Sequence, residues 1–199
     1  AGLAISQKGT KNIAISFLGD GAAEEGCFHE SLNFAKINKL PVIFVVENNL
    51  FSSHMDISLR QPDPFISRFA KANYIPYELI DGNNIVEVVE ASNKLIRNCR
   101  NKGGPALLEA ITYRWLGHVD WRDDIDVGIN RCKKTLKDWK EKCPIKRLTN
   151  SLIFFKKFDA QFLSNIDKEI NYEINLCWNT ALNDDYPEKS SLLKNIYFE

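Results

Sequence analysis

Asn12-Ile-Ala-Ile-Ser-Phe-Leu-Gly-Asp-Gly21, followed after a helical run by Leu40-Pro-Val-Ile-Phe-Val-Val-Glu-Asn-Asn49, decides the fold. The apolar, β-branched runs 13–18 and 42–46 have the length and composition of buried parallel strands, and each stops abruptly at polar residues. Between them Phe28, Leu32 and Ala35 recur at helical spacing. The three pieces predict one βαβ unit.

A βαβ crossover makes both strands run the same way, so Gly19-Asp20-Gly21 and Asn48-Asn49 emerge at the same carboxyl edge of the sheet. Neighbouring strands lie about 4.8 Å apart, close enough for one small charged ligand to reach both turns. Gly19 and Gly21 permit a tight turn, and the N–H groups of Gly21, Ala22 and Ala23 lead into a helix whose N-terminus attracts anions. A diphosphate fits that description and brings a need for a cation. Mg²⁺ takes about six oxygens at about 2.0–2.1 Å, commonly one or two carboxylates with phosphate and water completing the set. Asp20 offers a carboxylate and Asn49 an amide oxygen.

Gly19-Asp20-Gly21 followed after a helix by Glu47-Asn48-Asn49 resembles the thiamine diphosphate motif. The intervening Gly26-Cys-Phe-His-Glu-Ser-Leu-Asn-Phe-Ala35 and the later Gly104-Pro-Ala-Leu-Leu-Glu-Ala-Ile-Thr-Tyr-Arg-Trp-Leu-Gly-His118 resemble one branch of that superfamily. The branch is the alpha subunit of the thiamine-dependent decarboxylating component of 2-oxo acid dehydrogenase complexes, of pyruvate, branched-chain and acetoin types. The likeness is good over residues 1–150 and looser beyond.

The resemblance implies a three-layer α/β thiamine diphosphate-binding fold, with a mostly parallel sheet and a helical C-terminal extension. It implies oxidative decarboxylation of a 2-oxo acid such as pyruvate, with the acyl group passed to a lipoyl-bearing acyltransferase component. Thiamine diphosphate and Mg²⁺ are the implied cofactors. By the same resemblance Asp20, Asn49 and the backbone carbonyl of Phe51 hold Mg²⁺, and Gly21 and Ala22 give backbone N–H groups to the diphosphate. His118 sits beside that diphosphate and acts at the active-site mouth. A separate beta subunit would bind the aminopyrimidine and donate its activating glutamate, in a heterotetramer of two alpha and two beta chains. The compartment implied is a bacterial cytoplasm, or the mitochondrial matrix in a eukaryote.

Two positions depart from relatives. Leu116 stands where many carry a second histidine, and Val119 where animal pyruvate enzymes carry a regulatory serine. Without a hydroxyl at 119 there is no kinase control through that position, and Trp121-Arg122-Asp123-Asp124 is not the usual regulatory sequence. The substrate therefore stays open. A transketolase-like ketol transferase competes as an enzyme, and a phosphate- or nucleotide-binding α/β module, or an inactive fragment, competes as a non-enzyme.

Composition narrows the classes. With 199 residues, 44% of them hydrophobic, the chain can bury a good-sized core. Twenty-six basic residues balance twenty-six acidic ones, so no global field favours nucleic acid or an anionic membrane surface. Five scattered cysteines, with no Cys-x-x-Cys pair and no nearby histidines, suit a reducing compartment and argue against a zinc site. No apolar run approaches the roughly 18 residues of a membrane span. The opening Ala1-Gly-Leu-Ala-Ile-Ser6 reads as the end of a helix already under way, so the chain reads as a fragment.

The rest of the pattern is αβ in rhythm. Residues 50–64 read as an exposed, turn-rich loop beside the ligand edge, and Glu24 and Glu25 as pointing to solvent or a partner subunit. A short helix over 64–73 precedes a strand over 75–80. Ile85, Val88, Val89, Ser92, Leu95, Ile96 and Cys99 mark an amphipathic helix ended by Gly103-Gly104. A fourth buried strand spans 106–112, and the irregular stretch that follows can fold over the site. The expected binding domain is 1–130. The expected helical extension is 131–199, with helices over 131–142, 145–152 and 159–182. In the last of these Phe162, Ile166, Ile170 and Ile174 face a core or a partner. His29 and His54 read as structural or surface residues, and the aromatic tail Ile196-Tyr-Phe198 as a segment that docks.

Overall fold

Side-chain alternation along the strands builds the layers. In the computed structural model, which describes residues 9–119 and 131–194, β1 (Ala14–Gly19) leads through α1 (Gly26–Ile37) to β2 (Val42–Asn48). The two strands pair in parallel, from Ala14 against Val42 to Gly19 against Glu47. Successive residues of a strand point to opposite faces. Accordingly Val42, Phe44 and Val46 join Phe28, Leu32 and Ala35 of α1 in one core, while Ile43 and Val45 turn to another.

After β2 the chain makes a small antiparallel hairpin, β3 (Phe51–Ser52) and β4 (Met55–Asp56), and a 3₁₀ turn over Ile57–Leu59. Helix α2 (Ser67–Ala72), strand β5 (Tyr77–Asp81), helix α3 (Ile85–Lys102) and strand β6 (Ala106–Ile111) follow. The order across the sheet is β1-β2-β6-β5, and every pairing is parallel. Ala70 of α2, with Ile66 just before that helix, packs on the face occupied by α1, whereas Ala91, Leu95 and Cys99 of α3 pack with Ile43, Ala106 and Leu108 on the other. Helices on both faces of a parallel sheet give the three-layer α/β arrangement expected.

The differences from expectation are local. Strand β5 starts at Tyr77 rather than 75, because Ile75 is spent on the helix-side core and Pro76 has no N–H to give, offering only its carbonyl to Leu107 N–H at 3.0 Å. On α3 the buried positions are Ala91, Leu95 and Cys99, spaced four apart on one face; Val89, two residues before Ala91, falls on the far side of the helix and is 51% exposed.

The chain divides into two compact units, Ala1–Leu148 and Thr149–Glu199, so the expected extension from residue 131 is shared between them. In the first unit, α4 (Lys133–Glu141) stacks Trp139 on Tyr113 with ring centroids 5.7 Å apart. Helix α5 (Pro144–Phe154) carries Arg147, whose Nη1 donates to Asp81 Oδ2 at 2.7 Å and to the Asn83 carbonyl at 3.0 Å. In the second unit, α6 (Ala160–Asn183) is capped by Asp159, whose Oδ1 accepts from Phe162 N–H at 2.7 Å. Its stripe of Phe162, Ile166, Ile170 and Ile174 is 37–57% exposed.

Partial burial works against the Asp81 charge. The Arg147 hydrogen bond, the backbone N–H of Asn83 and the charges of Arg147 and Lys142 outweigh it, so the carboxyl is held below its ordinary 3.8. A depressed carboxyl stabilises the fold above its unfolded pKa and loses that contribution as pH falls through the folded one. Arg147→Gln should therefore lower the melting temperature at neutral pH, and the gap to the parent should narrow as pH drops below 3.8. Melts over a pH series check this. Among the described residues no helix is long and apolar enough to cross a membrane. The expected N-terminal helix end, residues 121–124 and the tail 196–198 lie outside the described residues.

Candidate active site

The register of the sheet brings the two polar turns together. Gly19 pairs with Glu47, so Asp20 and Asn48-Asn49 leave adjacent strands at one edge. Asp20 is 1% exposed. Its Oδ2 accepts from Arg60 Nη2, while Oδ1 is buried with no hydrogen-bond partner. A buried acceptor left bare costs about 1–3 kcal/mol, a cost that a bound water, ion or ligand would relieve.

Asn48 and Asn49 divide the work at the end of β2. Asn48 is fully buried; its Nδ2 donates to Glu109 Oε1 at 2.8 Å and to the Pro64 carbonyl at 2.9 Å, and its Oδ1 accepts from Leu50 N–H at 3.1 Å. Glu109, fully buried on β6, also accepts from Ile66 N–H at 2.9 Å and Ser67 N–H at 2.6 Å. This network pins the end of β2 to the start of α2. Asn49 Oδ1 accepts from Phe51 N–H at 3.0 Å. Ile57 N–H donates to the Leu50 carbonyl at 2.8 Å, which makes Phe51 and Asp56 a pair whose backbone groups point away from each other. The N–H and C=O of one strand residue point the same way, so the Phe51 carbonyl lies on the Asn49 side.

Gly21 and Ala22 open a single 3₁₀ turn, Ala22–Glu24, whose bonds begin at Glu24 N–H to the Gly21 carbonyl. Their N–H groups are therefore not part of α1. Extended Glu25, at φ −70° and ψ 140°, interrupts the chain, and α1 starts only at Gly26. The first N–H groups of any such turn have no partner within it. A Cβ added at Gly21 would lie 2.3 Å from Ser52 Oγ and 2.7 Å from Ser52 Cβ, so the hairpin sits directly on this turn. Gly21→Ala should push β3 away and weaken ligand binding about tenfold or more. The double variant Gly21→Ala, Ser52→Gly should restore most of it, because the nearest remaining atom is Ser52 Cα at 3.4 Å. Titration of both variants against the parent checks the pair.

The expectation of an exposed loop over 50–64 does not hold throughout. Phe51 and Ile57 are buried, 9% and 4% exposed, since the hairpin turns both inward. Nor does Glu24 point to solvent: it pairs with Arg60 Nη1, and the same guanidinium reaches Asp20. Arg60 was invisible to spacing, because its partners lie 36 and 40 residues away. The available signal was that it is the only arginine or lysine in 50–64, opposite two acidic residues at the turn.

His118 is exposed, and its ring meets His54 edge-on at 6.2 Å between centroids. His54 is exposed, a surface residue as expected, and its ring lies beside that of His118. The loop carrying His118 is tied to the hairpin by Arg114 Nη2 to the Ser53 carbonyl at 2.8 Å. Arg131, 4% exposed, fixes it from behind by donating to the carbonyls of Arg114 at 2.5 Å and Leu116 at 3.2 Å. His29 instead packs against Phe69 with centroids 4.4 Å apart, a structural role as expected.

In open α/β sheets ligands bind at the carboxyl edge, and here that edge carries a buried acid, an amide and a glycine turn. The sequence profile of the family described as "Dehydrogenase E1 component" matches residues 1–190, and the chain belongs to that family. It is 34% identical over 196 residues to the alpha subunit of acetoin:2,6-dichlorophenolindophenol oxidoreductase of Bacillus subtilis (strain 168), covering 98% of this chain and 57% of that protein. It is 31% identical to the pyruvate dehydrogenase E1 component subunit alpha of Rhizobium meliloti (strain 1021), covering 98% and 56%. Against the chloroplastic pyruvate dehydrogenase E1 component subunit alpha-3 of Arabidopsis thaliana it is 32% identical, covering 94% and 42%. The chain spans about half the length of these curated relatives.

Proposed function

We propose that this chain is the cofactor-holding part of a thiamine diphosphate-dependent E1 alpha subunit, acting on a 2-oxo acid such as pyruvate or on acetoin. The observation that carries the reading is the buried, unpartnered Oδ1 of Asp20 at the same sheet edge as Asn49. The donors suit Mg²⁺: a carboxylate oxygen from Asp20, an amide oxygen from Asn49 and a backbone carbonyl from Phe51 are all hard, and diphosphate and water complete the shell. Gly21 and Ala22 offer N–H groups to the diphosphate, with the glycine keeping the backbone open to it. In this reading His118, at the rim, donates a hydrogen bond to a substrate or phosphate oxygen.

Thiamine diphosphate supplies, when bound, a carbanion nucleophile and an electron sink for cleavage beside a carbonyl. This chain's residues supply placement. Asp20 and Asn49 would hold the cation at the sheet edge, and Glu109 through Asn48 fixes the turn that carries Asn49. A beta subunit completes the site in this reading, and a lipoyl-bearing component accepts the acyl group.

The assay is dye reduction by the intact chain copurified with its partner subunit, offered pyruvate or acetoin. Turnover of one of them that needs both thiamine diphosphate and Mg²⁺ supports the reading, and which one responds names the substrate. The likeness to the Bacillus subtilis protein favours acetoin as the second reading. Equal calorimetric affinity for ADP and thiamine diphosphate, with no turnover, would leave only a phosphate-binding module.

A further inference from the structure

Arg60 is not part of the donor set just described, yet it touches it. Its guanidinium is 7% exposed and forks between two carboxylates, Nη2 to Asp20 Oδ2 and Nη1 to Glu24 Oε1. It is also held from its own side: Arg60 N–H donates to the Ile57 carbonyl at 3.0 Å and Nε to the Met55 carbonyl at 3.2 Å. The fork therefore fastens the hairpin that carries Phe51 and Ser52 to the turn that carries Asp20. It leaves the other carboxylate oxygen, Asp20 Oδ1, buried and without a hydrogen-bond partner.

The charges decide what that ligand can be. Two carboxylates and one guanidinium leave the cluster one net negative charge. A dication arriving alone at Oδ1 meets a carboxylate already half offset by a fixed cation. Mg²⁺ gives up its water reluctantly, and so weak a field does not compensate. When the dication arrives with a diphosphate, the phosphate oxygens supply the missing charge and ligands.

We infer that Arg60 is a positioning residue that makes cation binding conditional on the diphosphate, so that this site takes up a metal–diphosphate complex and rejects the bare metal. The inference rests on the reading of the site given above. Glu24 sets the strength of the effect, because it draws part of the guanidinium charge away from Asp20.

Electron paramagnetic resonance of free Mn²⁺ tests this on the intact chain with its partner subunit, with and without thiamine diphosphate. In the parent, Mn²⁺ alone should bind weakly and thiamine diphosphate should tighten it strongly. Arg60→Gln should bind Mn²⁺ alone about tenfold more tightly, with the gain from thiamine diphosphate shrinking accordingly. Arg60→Lys, which keeps the charge, should stay near the parent. Glu24→Gln, which keeps the side chain's size while removing its charge, should move the opposite way, with Mn²⁺ alone bound about threefold more weakly. A parent that takes up Mn²⁺ with thiamine diphosphate, beside Arg60 and Glu24 variants that bind bare Mn²⁺ as the parent does, overturns the role of Arg60 alone. A parent with no thiamine diphosphate-dependent uptake overturns the cofactor reading and this inference with it.

Discussion

Asp20→Asn should lower the affinity for the thiamine diphosphate–Mg²⁺ pair by about 100-fold or more, with the fold intact. Outer-shell partners of a metal typically cost about 10- to 100-fold when removed, and a direct carboxylate ligand sits above that range. The substitution keeps size and shape but takes away the one charge that the cation meets at the end of β1. It also breaks the pair with Arg60, so Arg60 should lose its grip on the turn and the β3–β4 hairpin should loosen. Calorimetric titration gives the affinity. Hydrogen exchange at residues 51–57 gives the second effect, and an unchanged melting temperature would separate it from general unfolding.

The second large effect lies behind the site. Glu109→Ala leaves three buried N–H bonds without an acceptor: those of Ile66 and Ser67, and one of the two on Asn48 Nδ2, whose other still reaches the Pro64 carbonyl. At about 1 kcal/mol or more for each buried donor left bare, the loss is about 3–5 kcal/mol. For a chain of this size that is a fall in melting temperature of about 6–20 °C. Glu109→Gln should recover only part of it, because one of its two terminal atoms becomes a donor and meets another donor. Thermal melts of both variants measure the effect. Since Asn48 precedes Asn49, both variants should also weaken cofactor binding, and Glu109→Gln less than Glu109→Ala.

What the sequence made legible were features set by local spacing. The runs 13–18 and 42–46, with Phe28, Leu32 and Ala35 between them, needed only strand and helix periodicity, and the observed β1, α1 and β2 follow them closely. Strand β6 and helix α3 were readable for the same reason. What stayed hidden depends on distant partners. Arg60 carries no signature until the hairpin folds back onto Asp20, and burial of Phe51 and Ile57 follows from that same fold rather than from local pattern. Glu109 looked like one polar residue within a buried strand; its role appears only when Asn48, 61 residues earlier, is placed beside it. The break at Glu25 was missed because helix periodicity does not register a single extended residue at the start.

For the candidate site, residue types and order pointed to Asp20, Gly21, Ala22 and Asn49, and the family resemblance added the Phe51 carbonyl. The register of β1 against β2 then placed the first and last of the turns at one edge. The rings of His118 and His54 lie side by side, and the second histidine of the pair came from the hairpin rather than from the loop where Leu116 stands.

Anomalous diffraction from a crystal of the complete enzyme grown with Mn²⁺ and thiamine diphosphate examines the whole proposal at once. The expected result is a single Mn²⁺ peak at about 2.0–2.2 Å from Asp20 Oδ1, Asn49 Oδ1 and the Phe51 carbonyl oxygen, with diphosphate on the opposite side. A bound cofactor whose metal lies away from Asp20, or one held with no contact to Asn49, would contradict it.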